Sequence, residues 1–129
     1  MQRTLSPSRQ LSLHPAQLGA ILAFLAVALG AFGAHGLKGI LSPDRLATYE
    51  TAVRYQMYHA LALLVIGALP KVTYRAAPVL FVGVLVFSGS LYLLVATNLS
   101  WLGAVAPIGG VLMLVGWLML FFRLFRLER

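Results

Sequence analysis

Four long apolar stretches, separated by short connectors that hold most of the charge, limit what this chain can fold into. They run Ala16 to Ala34, Ala60 to Pro70, Ala77 to Thr97 and Leu102 to Phe122, and none contains a charged side chain. A run of about 20 apolar residues spans the roughly 30 Å hydrocarbon core of a bilayer as an α-helix. Three of the stretches reach that length unaided. The second does so only when its helix begins further back, in Tyr49 to His59, where tyrosines and amphipathic residues replace pure aliphatics.

Charged residues make up 10% of the chain, against about 25% in an ordinary soluble domain. With 129 residues and connectors of a few residues each, one helical unit accounts for the chain. Cysteine is absent, which removes disulfides, thiolate nucleophiles and zinc-thiolate sites together. The net charge of +7 raises the question of nucleic acid, but the placement of the cations answers it differently. Arg3, Arg9, Lys71, Arg75, Arg123, Arg126 and Arg129 share one side if four helices cross, while Lys38, Arg45 and Arg54 take the other beside Asp44 and Glu50. Positively charged loops stay cytoplasmic, so both termini are expected inside. No basic stripe interleaved with aromatics points to nucleic acid.

The N-terminus is basic and precedes an apolar run, as in a secretory signal, and Ala26-Val27-Ala28 has the form of a cleavage site. The uncharged run nevertheless continues to His35 and three more stretches follow, which favours a retained first helix. The expected organisation is a flexible cytoplasmic tail (1–15), spans near 16–36, 50–70, 77–97 and 102–122, and a basic cytoplasmic tail (123–129). The polar Ser6 to Gln10 segment, with its proline, belongs to the first tail.

Small residues recur at helical spacing in the first span: Gly19 and Ala23, then Ala26, Gly30 and Ala34. In lipid, packing replaces the hydrophobic effect as the force between helices, and small side chains let backbones approach. Gly89, Gly109 and Gly110 invite the same reading in the later spans. Ser42-Pro43-Asp44 reads as a helix start, with a capping hydroxyl, a proline at the first position and an acid at the positive end of the dipole. The helix it opens is expected to reach about Leu69. Its stripe Leu46, Val53, Met57, Ala60 and Leu64 should face the bundle, with Thr48, Ala52, Tyr55 and His59 opposite. Tyr49, Tyr55 and Tyr58 suit the headgroup region.

Candidate polar sites are few. Glu50 precedes Arg54 by four residues, the better order for a helical ion pair, and an exposed pair of that kind contributes only tenths of a kcal/mol. His35 ends the first helix and His59 lies inside the second, on the same expected side. Two such histidines could ligate haem iron or another metal, but two without a third ligand in register do not define a metal site, and no cofactor is expected. Ser88 and Ser90 can return their hydroxyls to the preceding turn or bridge helices. Pro107 frees the carbonyl of Gly103, so a kink or a late helix start is expected.

Four blocks together carry a resemblance: Gly30 to Leu37, Tyr55 to Leu63, Phe87 to Tyr92, and Pro107 to Gly110 with Gly116-Trp117. Over residues 16 to 122 their order and spacing resemble a family of small bacterial inner-membrane proteins typified by YgdD and YwdK. That family is filed as domain of unknown function four-two-three and is similar to a small eukaryotic transmembrane protein. The resemblance implies a multi-pass protein of the bacterial inner membrane with no established activity or catalytic residues, and it highlights His35, Tyr58 and His59. The expectation is an all-α integral membrane protein, four transmembrane helices in an antiparallel bundle. Its leading role would be non-catalytic, as an accessory or scaffold protein packing with itself or a larger membrane complex. The alternatives are an outer-leaflet site for lipid, quinone, haem or metal built on His35, Glu50, Arg54, Tyr55, Tyr58 and His59, and a solute or ion path in an oligomer.

Overall fold

A computed structural model describes residues 13–127. Arg3, Arg9, Arg129 and the Ser6 to Gln10 segment lie outside the described residues. The chain forms α1 (Pro15–Phe32), α2 (Pro43–Ala68), α3 (Ala76–Thr97) and α4 (Leu102–Leu127), with a π-helical turn over Gly33–Leu37 and a 3₁₀ turn over Lys71–Arg75.

Local chemistry explains the boundaries. His14 accepts the Ala16 amide on Nδ1 at 3.1 Å while its own amide donates to Gln17 Oε1 at 3.0 Å, so both sides of a capping box close ahead of Pro15. Gly39, at φ 90°, turns the chain after the π-helical segment. Ser42 Oγ then accepts the Arg45 amide at 3.3 Å to start α2, as its sequence suggested. Asn98 ends α3 in the left-handed conformation, φ 57°. Pro107 neither delays nor ends α4, which begins at Leu102 and continues through it.

The helices run up, down, up and down. Contacts at one end join His14 of α1 to Tyr74 before α3, and those at the other join Arg45 of α2 to the Val95 carbonyl near the end of α3. The extensive interfaces are α1 with α2, α2 with α3 and α3 with α4, which makes α2 and α3 the central pair. α1, α3 and α4 are long and apolar enough to cross a membrane by composition alone. At 26 residues α2 is about 39 Å long and lies along its neighbours for the full depth. The fold is therefore an antiparallel four-helix membrane bundle. The weaker hydropathy of α2 follows from Asp44, Arg45, Glu50 and Arg54 along its first half together with Gln56 and His59, and the last two are buried between helices.

That central position corrects two sequence-based expectations. Ala52 and His59, assigned to the face away from the bundle, are 0% and 4% exposed, because α2 is packed on both sides. Tyr49, assigned to the headgroup belt, is buried with its hydroxyl donating to the Leu29 carbonyl at 2.5 Å. The core falls into a larger cluster around Leu63, Ile66, Leu80 and Val84 and a smaller one around Ala52, Leu91 and Ala106.

Candidate functional site

The glycines decide how closely the helices approach. A Cβ added to Gly19 would stand 2.6 Å from the Ala60 carbonyl oxygen and 2.8 Å from the Leu64 amide nitrogen, so α1 crosses α2 backbone to backbone. Gly109 does the same for α4 on α3, against the Gly83 carbonyl and the Phe87 backbone. Ala26 is 1% exposed, and Ala23 packs against the core. Gly30 leaves ordinary room, 3.4 Å to Val53 Cγ1, while Ala34 is exposed. Gly89 and Gly110 meet nothing within 4 Å and contribute no internal packing. Gly83 and Gly116, whose added Cβ atoms would collide with Met113 and Leu80, are packing positions that spacing does not reveal, because the residues four away, Val79 and Phe87 or Leu112 and Leu120, are large.

Close approach brings buried polar side chains within reach of one another. Gln56 Nε2 donates to the Leu22 carbonyl at 2.9 Å, and its Oε1 accepts the Tyr92 hydroxyl at 2.6 Å, so a single amide ties three helices. The Tyr92 ring meets Tyr49 edge-on, centroids 5.6 Å apart. Ser88 Oγ bridges to the Ala52 carbonyl at 2.8 Å, and Ser90 Oγ returns to the Phe87 carbonyl at 2.8 Å, so the two serines realise the two fates open to them. Sequence reasoning missed Gln56. The available signal was an amide in a membrane span, which is retained when it faces other helices.

His59 is buried in the groove between α2 and α4. Trp117 can only donate, so its Nε1–H gives a hydrogen bond to His59 Nε2 at 3.1 Å. The other ring nitrogen, Nδ1, then carries the proton and donates to the Tyr55 carbonyl at 2.7 Å. Tyr55 stacks near-parallel on His59 at 6.4 Å and leans on Phe87 at 4.9 Å, and Tyr58 meets Tyr55 edge-on at 5.8 Å. Pro107, Gly110 and Leu114 complete the wall of a groove of about 420 Å³.

The remaining candidates lie elsewhere. Glu50 and Arg54 are exposed on the α1 side of α2, along a shallow hollow of about 210 Å³ with Gly30, Gly33 and Ala34. His35 is exposed within the π-helical turn. The Tyr49 ring against Gly33 sets His35 level with the start of α2, about three turns from His59. The structure thus brings Tyr55, Tyr58 and His59 together but does not join them to His35, Glu50 or Arg54. Among the described residues no group of three or more His, Cys, Asp or Glu side chains could hold a metal.

The chain is similar in sequence to known membrane proteins. A family described as protein of unknown function (DUF423) matches residues 29–110. A UPF0382 membrane protein of Staphylococcus aureus is 50% identical over 113 residues, covering 84% of this chain and 93% of the relative. One of Staphylococcus epidermidis is 52% identical over 107 residues, covering 80% and 88%. The UPF0382 membrane protein YwdK of Bacillus subtilis is 48% identical over 110 residues, covering 80% and 89%. No solved structure matches the chain.

Proposed function

We propose, from the premise that this chain belongs to the DUF423 family of membrane proteins, that it is a non-catalytic accessory or scaffold protein. It sits in the bacterial inner membrane with both ends cytoplasmic, as the seven-to-three division of its cations favours. It receives a helix, from a second copy or from a larger membrane complex, along the outer face of α4.

The observation that carries this reading is the contrast among glycines. Gly19, Gly83, Gly109 and Gly116 are consumed in packing within the chain, whereas Gly103 and Gly110, two turns apart on α4, have open space where a Cβ would stand. Open small residues on a lipid-facing helix suit close approach by another helix. The groove beside Gly110 supplies the room. The polar groups support the same reading, because Gln56, Tyr92, Ser88 and His59 spend their hydrogen bonds inside the chain. A haem or metal ligand would require His59 to release Trp117 or the Tyr55 carbonyl. A solute path would require unengaged polar groups facing a lumen, and these are bonded to one another or to backbone.

Gly110→Leu tests the proposal. The added Cβ meets no atom within 4 Å and the side chain enters the groove, so helicity and thermal unfolding should stay as in the wild type. Cross-linking in native membranes and native gel mobility in mild detergent should both show loss of the larger assembly. An assembly of unchanged size with Gly110→Leu would contradict the docking face.

A further inference from the structure

The seam between α1 and α3 lies apart from the α4 groove and holds two hollows in line. The first, of about 440 Å³, opens at the end where α1 begins and α4 finishes, between Leu13 and Leu18 on one side and Ala77 and Pro78 on the other, with Lys71 at its mouth. The second, of about 240 Å³, continues along the same two helix faces between Leu22, Leu25 and Leu29 and Val84, Leu85 and Gly89. Leu18, Leu22, Leu25 and Leu29 follow one another at spacings of four, three and four, one face of a helix. The deeper hollow exposes almost only apolar surface, since Gln56, Ser88 and Tyr92 in its lining spend their polar atoms on hydrogen bonds within the chain, and Gly89 widens it by lacking a side chain.

The mouth differs in character from the walls. The Ala16 amide occupies His14 Nδ1, so Nε2–H donates to Tyr74 Oη at 2.8 Å, and the Tyr74 hydroxyl in turn donates to the Gly67 carbonyl at 3.1 Å. This relay ties α1 to the 3₁₀ turn and makes a fixed polar rim. Lys71 stands exposed at the mouth, and Arg75, Arg123 and Arg126 belong to the same end of the bundle because α4 packs on the 3₁₀ turn. Asp44 and Glu50, the two acids among the described residues, belong to the opposite end. An exposed lysine at the mouth of an apolar cleft, at the basic end of the bundle, matches a molecule with an anionic head and a hydrocarbon tail.

Depth agrees with charge. From Ala77 to Gly89 is about 18 Å of helix, and one leaflet of hydrocarbon is about 15 Å deep. We infer that the α1/α3 seam is a binding site for an anionic glycerophospholipid, its phosphate at Lys71 and one acyl chain laid along the leucines of α1 as far as Gly89. The site does not depend on the helix-docking reading, and either leaflet assignment would serve it.

Native mass spectrometry of the full chain from mild detergent, with phosphatidylglycerol or phosphatidylcholine added, tests the inference. Wild-type protein should retain phosphatidylglycerol in preference, and Lys71→Glu should lower that preference about thirtyfold, since the reversal changes the charge facing the headgroup by two units. Gly89→Leu, which meets no atom within 4 Å at its Cβ, should reduce retention of both lipids while leaving thermal unfolding unchanged. Equal retention of the two lipids, or a Lys71→Glu protein that binds as the wild type does, would overturn it. So would displacement of phosphatidylglycerol by inorganic phosphate alone, which would mark a free-anion site instead of a lipid site.

Discussion

Gly109→Leu should destabilise the protein by about 3 kcal/mol or more and separate α4 from α3, while Gly110→Leu, one residue on, leaves the fold intact. The difference is geometric. A Cβ at Gly109 would lie 2.7 Å from the Gly83 carbonyl oxygen and 2.8 Å from Phe87 Cα, both backbone atoms of a helix that cannot yield locally. Overpacking ordinarily costs about 1–3 kcal/mol when side chains can move aside, and here the whole helix must move. In lipid no hydrophobic gain offsets the lost contact, because hydrocarbon surrounds the helix on either side. Thermal unfolding in a lipid-like detergent, with cross-linking between introduced cysteines on α3 and α4, measures both effects. Equal stability of the two variants would mean that the α3/α4 crossing is looser than described.

Gln56→Leu should cost about 1–3 kcal/mol, because it leaves the Tyr92 hydroxyl without its acceptor inside the bundle. The Leu22 carbonyl loses less, since a helical carbonyl keeps its own backbone donor. The two positions are coupled through the 2.6 Å bond between them. Adding Tyr92→Phe to Gln56→Leu should therefore recover part of the loss, the double variant being more stable than the sum of the singles implies. Strict additivity in urea or thermal unfolding would show that the amide holds α1 to α2 and does little for α3.

The contrast between α2 and the other helices shows how much the residues announce. The apolar runs around α1, α3 and α4, the capping triplet Ser42-Pro43-Asp44 and the resemblance carried by four sequence blocks all lead to the observed bundle. The faces of α2 did not follow from periodicity. An apolar stripe in a membrane helix can face lipid as readily as protein, so the stripe through Val53 and Leu64 said nothing about Ala52 and His59 on the other side. Those two are buried because α3 and α4 cover them. His59 illustrates the general difficulty. Its partner Trp117 is 58 residues away, and only the crossing of α4 over α3 makes the pair. Glycines were legible as packing residues but not which of them pack, since Gly109 and Gly110 differ only in which way the helix turns them.

α2 is the least apolar of the four helices, and whether it crosses the bilayer with its three neighbours can be measured directly. The chain has no cysteine, so single cysteines placed at Asp44, Lys71, Trp101 and Arg123 can be labelled with a membrane-impermeant maleimide in intact cells and again after permeabilisation. Asp44→Cys and Trp101→Cys should label from outside, and Lys71→Cys and Arg123→Cys only once the membrane is opened. Labelling of Asp44→Cys and Lys71→Cys from the same side would contradict the crossing, because α2 would then lie along the membrane surface instead of passing through.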